Sequence, residues 1–119
     1  MKALPWACGV LLASQAFFTF AADAARGKQL YESRCIGCHS LDENRAGPAH
    51  RGVFGRKAGS AKGYDYSDAV QKSQVIWNER TLDRWLTSPE GLIPGQKMGF
   101  MVPGQRDRAD LIEYLRSAR

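Results

Sequence analysis

Cys35-Ile36-Gly37-Cys38-His39 is the chain's most reactive grouping, two thiols three positions apart with an imidazole directly after the second. Three chemistries use residues of these types. A redox disulfide of the C-x-x-C kind sits at a helix start behind a strand in an α/β fold, and no strand-like alternation precedes Cys35. A zinc site needs four ligands. His50 is the only other histidine, and adjacent Cys38 and His39 are hard to place on one tetrahedron. The third chemistry is covalent haem attachment, for which C-x-x-C-H is the signature. The spacing makes mechanical sense: it brings both sulfurs to one side of a single helical turn, within reach of two neighbouring vinyl groups, and points His39 at the iron. Thioether bonds also consume two thiols that would otherwise oxidise to each other in an exported protein. The motif reads as a haem site.

Iron held by His39 needs a sixth ligand if it is to be closed to substrate. Apart from Met1, the chain's methionines are Met98 and Met101. Met98 lies in Ile-Pro-Gly-Gln-Lys-Met-Gly-Phe (93–100), a stretch stiffened by proline and without regular periodicity. A thioether there suits a ligand strap better than a core, whereas Met101 reads as a gap-filler in the core.

The elements that must position these groups are helices and loops. At 119 residues the chain is one domain. Its start is not structural: Met1-Lys2, an apolar run over 10–20 too short to span a bilayer, then small residues. That order predicts a signal peptide over 1–21 and a single domain over 22–119. Cleavage after Ala24 is the alternative, but cleavage after Ala21 keeps Asp23 to cap the helix that follows. Cys8 leaves with the leader. The expected location is therefore the periplasm, with no stable insertion in the membrane.

Asp23 starts an amphipathic helix bearing Leu30 and Tyr31. Asn78 caps a second helix, Glu79 to Thr87, stopped by Ser88-Pro89. Asp107 is expected to cap a last helix with Leu111, Ile112 and Leu115 on its buried face. From Leu41 to about Lys72, and again from Gly91 to Gly104, glycine, proline and polar residues predict loops. An all-α chain with so little helix needs something in its middle to pack against.

These motifs, taken in order, resemble the class I c-type cytochromes: Gly27 and Tyr31, Cys-x-x-Cys-His, Gly47-Pro48, GVFGRKAG (52–59), GYDYSDA (63–69), Trp77, LDRWLTSP (82–89), PGQKMGF (94–100) and RADLIEYL (108–115). The resemblance implies a small all-α fold of three main helices and long loops wrapped around one covalently bound haem c. It implies His39 and Met98 as axial ligands. It also implies that the Pro48 carbonyl accepts from His39, and that Arg56, Tyr66 and Trp77 hold the haem propionates. Gly27 marks the place where the last helix crosses the first, with Tyr31 and Tyr114 in contact there.

Several positions depart from the family pattern. Trp85 replaces a tyrosine near the methionine sulfur, and its indole N–H donates but cannot accept. Val70 replaces an asparagine and dries the pocket. His50 stands where an apolar residue is usual, and is expected to be a hydrogen-bonded structural histidine rather than an alternate ligand. Of the family's ring of docking lysines only Arg34 and Lys97 remain; Glu90 reverses a third place. The net charge of +5 is not gathered into a basic stripe, which argues against nucleic acid.

The implied function is that of a monomeric one-electron carrier between periplasmic or membrane-bound redox proteins that dock near Arg34 and Lys97, and not that of an enzyme. A dedicated electron-transfer subunit of a periplasmic dehydrogenase, or a haem-based gas sensor or peroxidase, are the alternative roles. Covalent attachment is directly testable. Cys35→Ser or Cys38→Ser should each weaken haem retention, and the double change should leave a chain without stable helix. Acid-acetone should extract no haem from the unmodified mature protein.

Overall fold

Asp23 adopts an extended conformation and its side chain accepts from the Arg26 N–H at 3.0 Å, which starts α1 (Ala24–Arg34) where the sequence predicts. The computed structural model describes residues 1–5, 9, 16 and 20–119; Cys8 and most of the expected leader's apolar run lie outside the described residues. Four further helices follow: α2 (Asp68–Lys72), α3 (Glu79–Thr87), α4 (Pro89–Leu92) and α5 (Gln105–Ser117). Among the described residues β-structure amounts to an isolated antiparallel bridge, Lys57 to Ile76. The fold is the expected all-α one.

α3 has the expected limits, and the reason is local. Asn78 accepts from the Thr81 N–H at 2.9 Å while the Thr81 hydroxyl accepts from the Asn78 N–H at 2.8 Å, a reciprocal cap. Two short helices were not expected. Ser67 caps α2 and Ser88 caps α4, each by accepting one backbone N–H of its first turn. Each is five residues or fewer, too short for its periodicity to stand out from a loop.

α5 also differs in detail. It begins at Gln105, with Gly104 as its cap and no side chain closing the first turn. Asp107 sits inside that turn instead of capping it. Its carboxylate pairs with Arg26 at 2.6 Å and Arg34 at 3.0 Å on α1. Two cations from another helix hold it below the usual carboxylate range, the Arg26 hydrogen bond contributing most.

α1 and α5 cross at Gly27, as expected. A methyl group placed there would lie 1.9 Å from the Asp110 carbonyl oxygen and 2.6 Å from its carbon. Tyr31 and Tyr114 meet beside the crossing with ring centroids 5.2 Å apart. Asp110 is itself buried, at 1% exposure. Burial alone would raise its carboxyl, but the Asp23 N–H at 2.8 Å and the Arg26 guanidinium at 2.7 Å outweigh it and hold the group ionised. The remaining core gathers Leu111, Ile112 and Leu115 of α5 with Val53, Trp77, Leu82, Ile93 and Val102. Met101, expected as core filler, is instead 57% exposed: the chain turns it outward just before Val102, whose N–H is anchored to the Leu86 carbonyl at 2.8 Å.

Gly27→Ala tests the crossing. Alanine gains about 1 kcal/mol in helix propensity, but its methyl meets backbone that has no rotamer to yield, and overpacking of this kind costs about 3 kcal/mol or more. Net destabilisation of about 2 kcal/mol or more is expected in chemical denaturation of the holoprotein. A neutral or stabilising effect would mean the helices are not in backbone contact.

Candidate functional site

Cys35 continues α1 by one turn. Its N–H donates to the Tyr31 carbonyl at 2.8 Å, and its own carbonyl accepts from Cys38 at 3.1 Å and from His39 at 2.8 Å. The motif is thus folded as a single helical turn, the geometry that its spacing calls for. Both thiols are free, with Cys35 half-buried and Cys38 exposed. Burial pushes the Cys35 thiol up to about 11, against a smaller opposing pull from Arg34.

The turn delivers His39 into a cavity of about 460 Å³. This volume is within the ~300–1,000 Å³ of pockets that take whole cofactors. His39 Nδ1 donates to the Pro48 carbonyl at 2.9 Å, which leaves the Nε2 lone pair for a metal. Burial keeps the ring neutral, outweighing that hydrogen bond. The loop after the motif is stapled by the Gly47 N–H on the Cys38 carbonyl at 2.7 Å. It presses the Gly47 backbone against the imidazole so closely that a methyl group there would lie 2.1 Å from His39 Cε1.

Every expected site residue lines this one cavity: Cys35, Cys38, His39, Pro48, Arg56, Tyr66, Trp77, Trp85 and Met98, with Arg34 and Lys97 at its boundary. Arg56 donates to the Arg51 and Ala49 carbonyls at 3.3 and 2.9 Å, while its Nε is buried without a partner. Arg56 lines the cavity as a cation that a carboxylate-bearing cofactor would complement. The Tyr66 hydroxyl accepts from the Ala61 N–H at 2.9 Å and so retains its own proton to donate. Trp77 is buried, and its ring meets Trp85 edge-on at 5.2 Å. Buried Val70 lines the same wall. Free thiols, one fixed imidazole, a thioether and a cation in the wall make a donor set that fits a haem.

Met98 reaches the cavity on a strap that is fastened at several points. Its N–H is capped by the Gln96 side chain. Glu90 accepts from the Gly95 N–H at 2.8 Å and from the Gln96 amide at 3.1 Å, and these bonds hold its carboxyl below the usual range. The sequence reading saw Glu90 only as a reversed docking charge; its reach into the strap depends on the turn of α4. Lys97 donates to the Asp65 carbonyl at 2.9 Å. Phe100 and Met101 beyond the strap are exposed.

His50 is hydrogen-bonded, as expected, with Nδ1 3.0 Å from the Tyr31 hydroxyl. Its stacking was not foreseen: the ring lies flat on His39, with centroids 3.9 Å apart and planes 22° from parallel. In stacked rings the nitrogen lone pairs run side by side instead of converging on one ion. Desolvation, and then the nearby His39 and Arg56, hold its pKa well below the usual histidine value.

The Gly47 contact yields a test. Gly47→Ala should displace the His39 ring, so that holoprotein forms in several-fold lower yield or with altered ferric absorption. An unchanged spectrum and yield would show that the backbone does not seat this imidazole.

Comparison with known proteins places this geometry. A family model for cytochrome c matches residues 24–119. The cytochrome c of Euglena viridis is 40% identical over 100 residues, spanning 82% of this chain and 98% of its own. That of Gibberella zeae is 41% identical over 100 residues, spanning 81% and 94%. Among solved structures, cytochrome cH from Methylobacterium extorquens superposes with a TM-score of 0.77 at 39% identity, covering 81% of this chain and 99% of that one. The chain belongs to the cytochrome c family, electron carriers that hold one covalently attached haem c.

Proposed function

We propose that the protein is an exported one-electron carrier whose haem is joined through Cys35 and Cys38 and ligated by His39 and Met98. The observation that carries this reading is the convergence of a fixed imidazole and a strapped thioether on one cavity that Arg56 also lines. When bound, the haem supplies a one-electron Fe(II)/Fe(III) couple. The chain's own part is to orient the ligands, exclude water and leave little freedom to rearrange. A soft sulfur ligand favours the reduced state, and dry walls such as Val70 and the paired Trp77 and Trp85 disfavour added positive charge. If His39 and Met98 both held the iron, no site would be left open to a substrate, which favours a carrier over an enzyme.

Arg56, Tyr66 and Trp77 are assigned to the propionates. Arg56 is the strongest support, since it brings a cation to the cavity wall where a carboxylate would be held. For an exported chain, the cleavage position is supported at Asp23. Its side chain caps α1, and its N–H is bound by buried Asp110. Cleavage after Ala24 would remove both contacts, so cleavage after Ala21 fits better. Among the described residues no helix is long and apolar enough to cross a membrane.

Redox partners are assigned to the face where exposed Phe100 and Met101 adjoin the strap, with the protein acting as a monomer. Arg34 and Lys97 edge that face, but each already has an anionic neighbour, Asp107 at 3.0 Å and Asp65 at 3.9 Å. Their attraction for a partner is accordingly modest, and apolar contact carries more of the docking.

Ligation decides between carrier and enzyme. Met98→Ala should abolish the sulfur-to-iron charge-transfer band, let the reduced protein bind carbon monoxide and lower the potential sharply. Met101→Ala should leave the spectrum unchanged. Carbon monoxide binding by the unmodified reduced protein at neutral pH would overturn the carrier reading in favour of a sensor or peroxidase.

A further inference from the structure

The resemblance leads to an apolar residue beside the proximal ligand, yet the chain places a polar pair there, Tyr31 and His50. Their protons can be assigned. The Tyr31 hydroxyl, on a residue only 3% exposed, has His50 Nδ1 at 3.0 Å as its acceptor, and no other acceptor is in reach among the described residues. The hydroxyl therefore donates, Nδ1 accepts, and the neutral His50 ring carries its hydrogen on Nε2. His39 has the opposite arrangement, with Nδ1–H on the Pro48 carbonyl. Two neutral imidazoles of fixed and unlike tautomer thus lie 3.9 Å apart, the outer one anchored by α1.

A ligand ring can still rotate about its bond to a metal while keeping one hydrogen bond. A flat neighbour restricts that rotation, because turning would drive the ring edge into the neighbour's face. Tyr31 in turn prevents His50 from turning, and is itself wedged against Tyr114 at 5.2 Å and His50 at 5.7 Å. A polar ring at this place also stabilises positive charge better than an aliphatic one would.

We propose that Tyr31 and His50 are a positioning pair for the proximal ligand: Tyr31 fixes the His50 ring, which by stacking sets the plane of His39 and lowers the reduction potential below that of an apolar wall. The proposal rests on His39 being the haem ligand, as argued above.

Three holoproteins test it, Tyr31→Phe, His50→Leu and the double variant. Proton shifts of the ferric haem methyl groups report the ligand plane, and the midpoint potential reports the polar wall. Tyr31→Phe should redistribute the methyl shifts and raise the potential. His50→Leu should do the same to a greater degree, and the double variant should fall short of the sum of the two, as coupled residues do. If Tyr31→Phe only lowers the thermal midpoint and leaves methyl shifts and potential at the unmodified values, the pair is structural and the proposal fails. Full additivity in the double variant overturns it as well. Should His50→Leu yield no holoprotein, the near-isosteric Tyr31→Phe decides by itself. A missing sulfur-to-iron band in the unmodified protein would instead count against Met98, on the other side, and is read independently of these shifts.

Discussion

The approach of the Gly27 backbone to the Asp110 carbonyl is the constraint on which the remaining architecture depends. α1 carries the haem motif at its end, and α5 supplies Leu111 and Leu115 to the cavity wall. Holding the two in backbone contact fixes where the motif's turn emerges relative to that wall. The crossing is then secured by charges that cannot rearrange singly. Buried Asp110 binds both Asp23 and Arg26, and Arg26 also binds Asp107, which binds Arg34. Such a buried group adds little net stability over an apolar one, but leaving any partner unpaired is expensive, so one register of the two helices is selected.

Much of this was legible because it is local or because it is chemistry. Asp23 and Asn78 announce helix starts by their own side chains, and C-x-x-C-H announces its cofactor through spacing alone. Gly27 was legible for a different reason: a glycine inside a helix costs stability and must be repaid by a close contact. What remained hidden is set by tertiary structure. The single turns of α2 and α4 have no periodicity to read. Asp107 is a plausible cap by type, and only the position of Arg26 and Arg34 makes it an interhelical anchor. Asp110, on an otherwise apolar face, carries no signal that a backbone N–H and a guanidinium wait for it.

The candidate site divides along the same line. Its membership could be read from residue types, and all the expected residues line one cavity. Their fastenings could not be read. Glu90 looked like a surface charge until the turn of α4 brought it under Gly95 and Gln96. His50 read as a hydrogen-bonded structural histidine, and only the loop from Ser40 to Arg51, closing on itself, lays it on His39, with the His50 N–H on the Ser40 carbonyl at 3.0 Å.

The two sides of the cavity are built by unlike means. His39 is enclosed by rigid groups: the Gly47 backbone, the Pro48 carbonyl and a stacked ring. Met98 rides on a strap whose fastenings, from Gln96, Glu90 and Lys97, are mainly exposed side chains. Exposed hydrogen bonds open locally at low cost, whereas backbone contacts and buried stacks open only with the fold. The Met98 side is thus the one that yields first when the protein is perturbed, and the His39 side keeps its geometry when it does. For an electron carrier that asymmetry is useful: a stiff proximal side limits the rearrangement that accompanies each change of charge. If Met98 is a haem ligand as proposed, exchange at that position would begin at the strap, beside the exposed Phe100 and Met101.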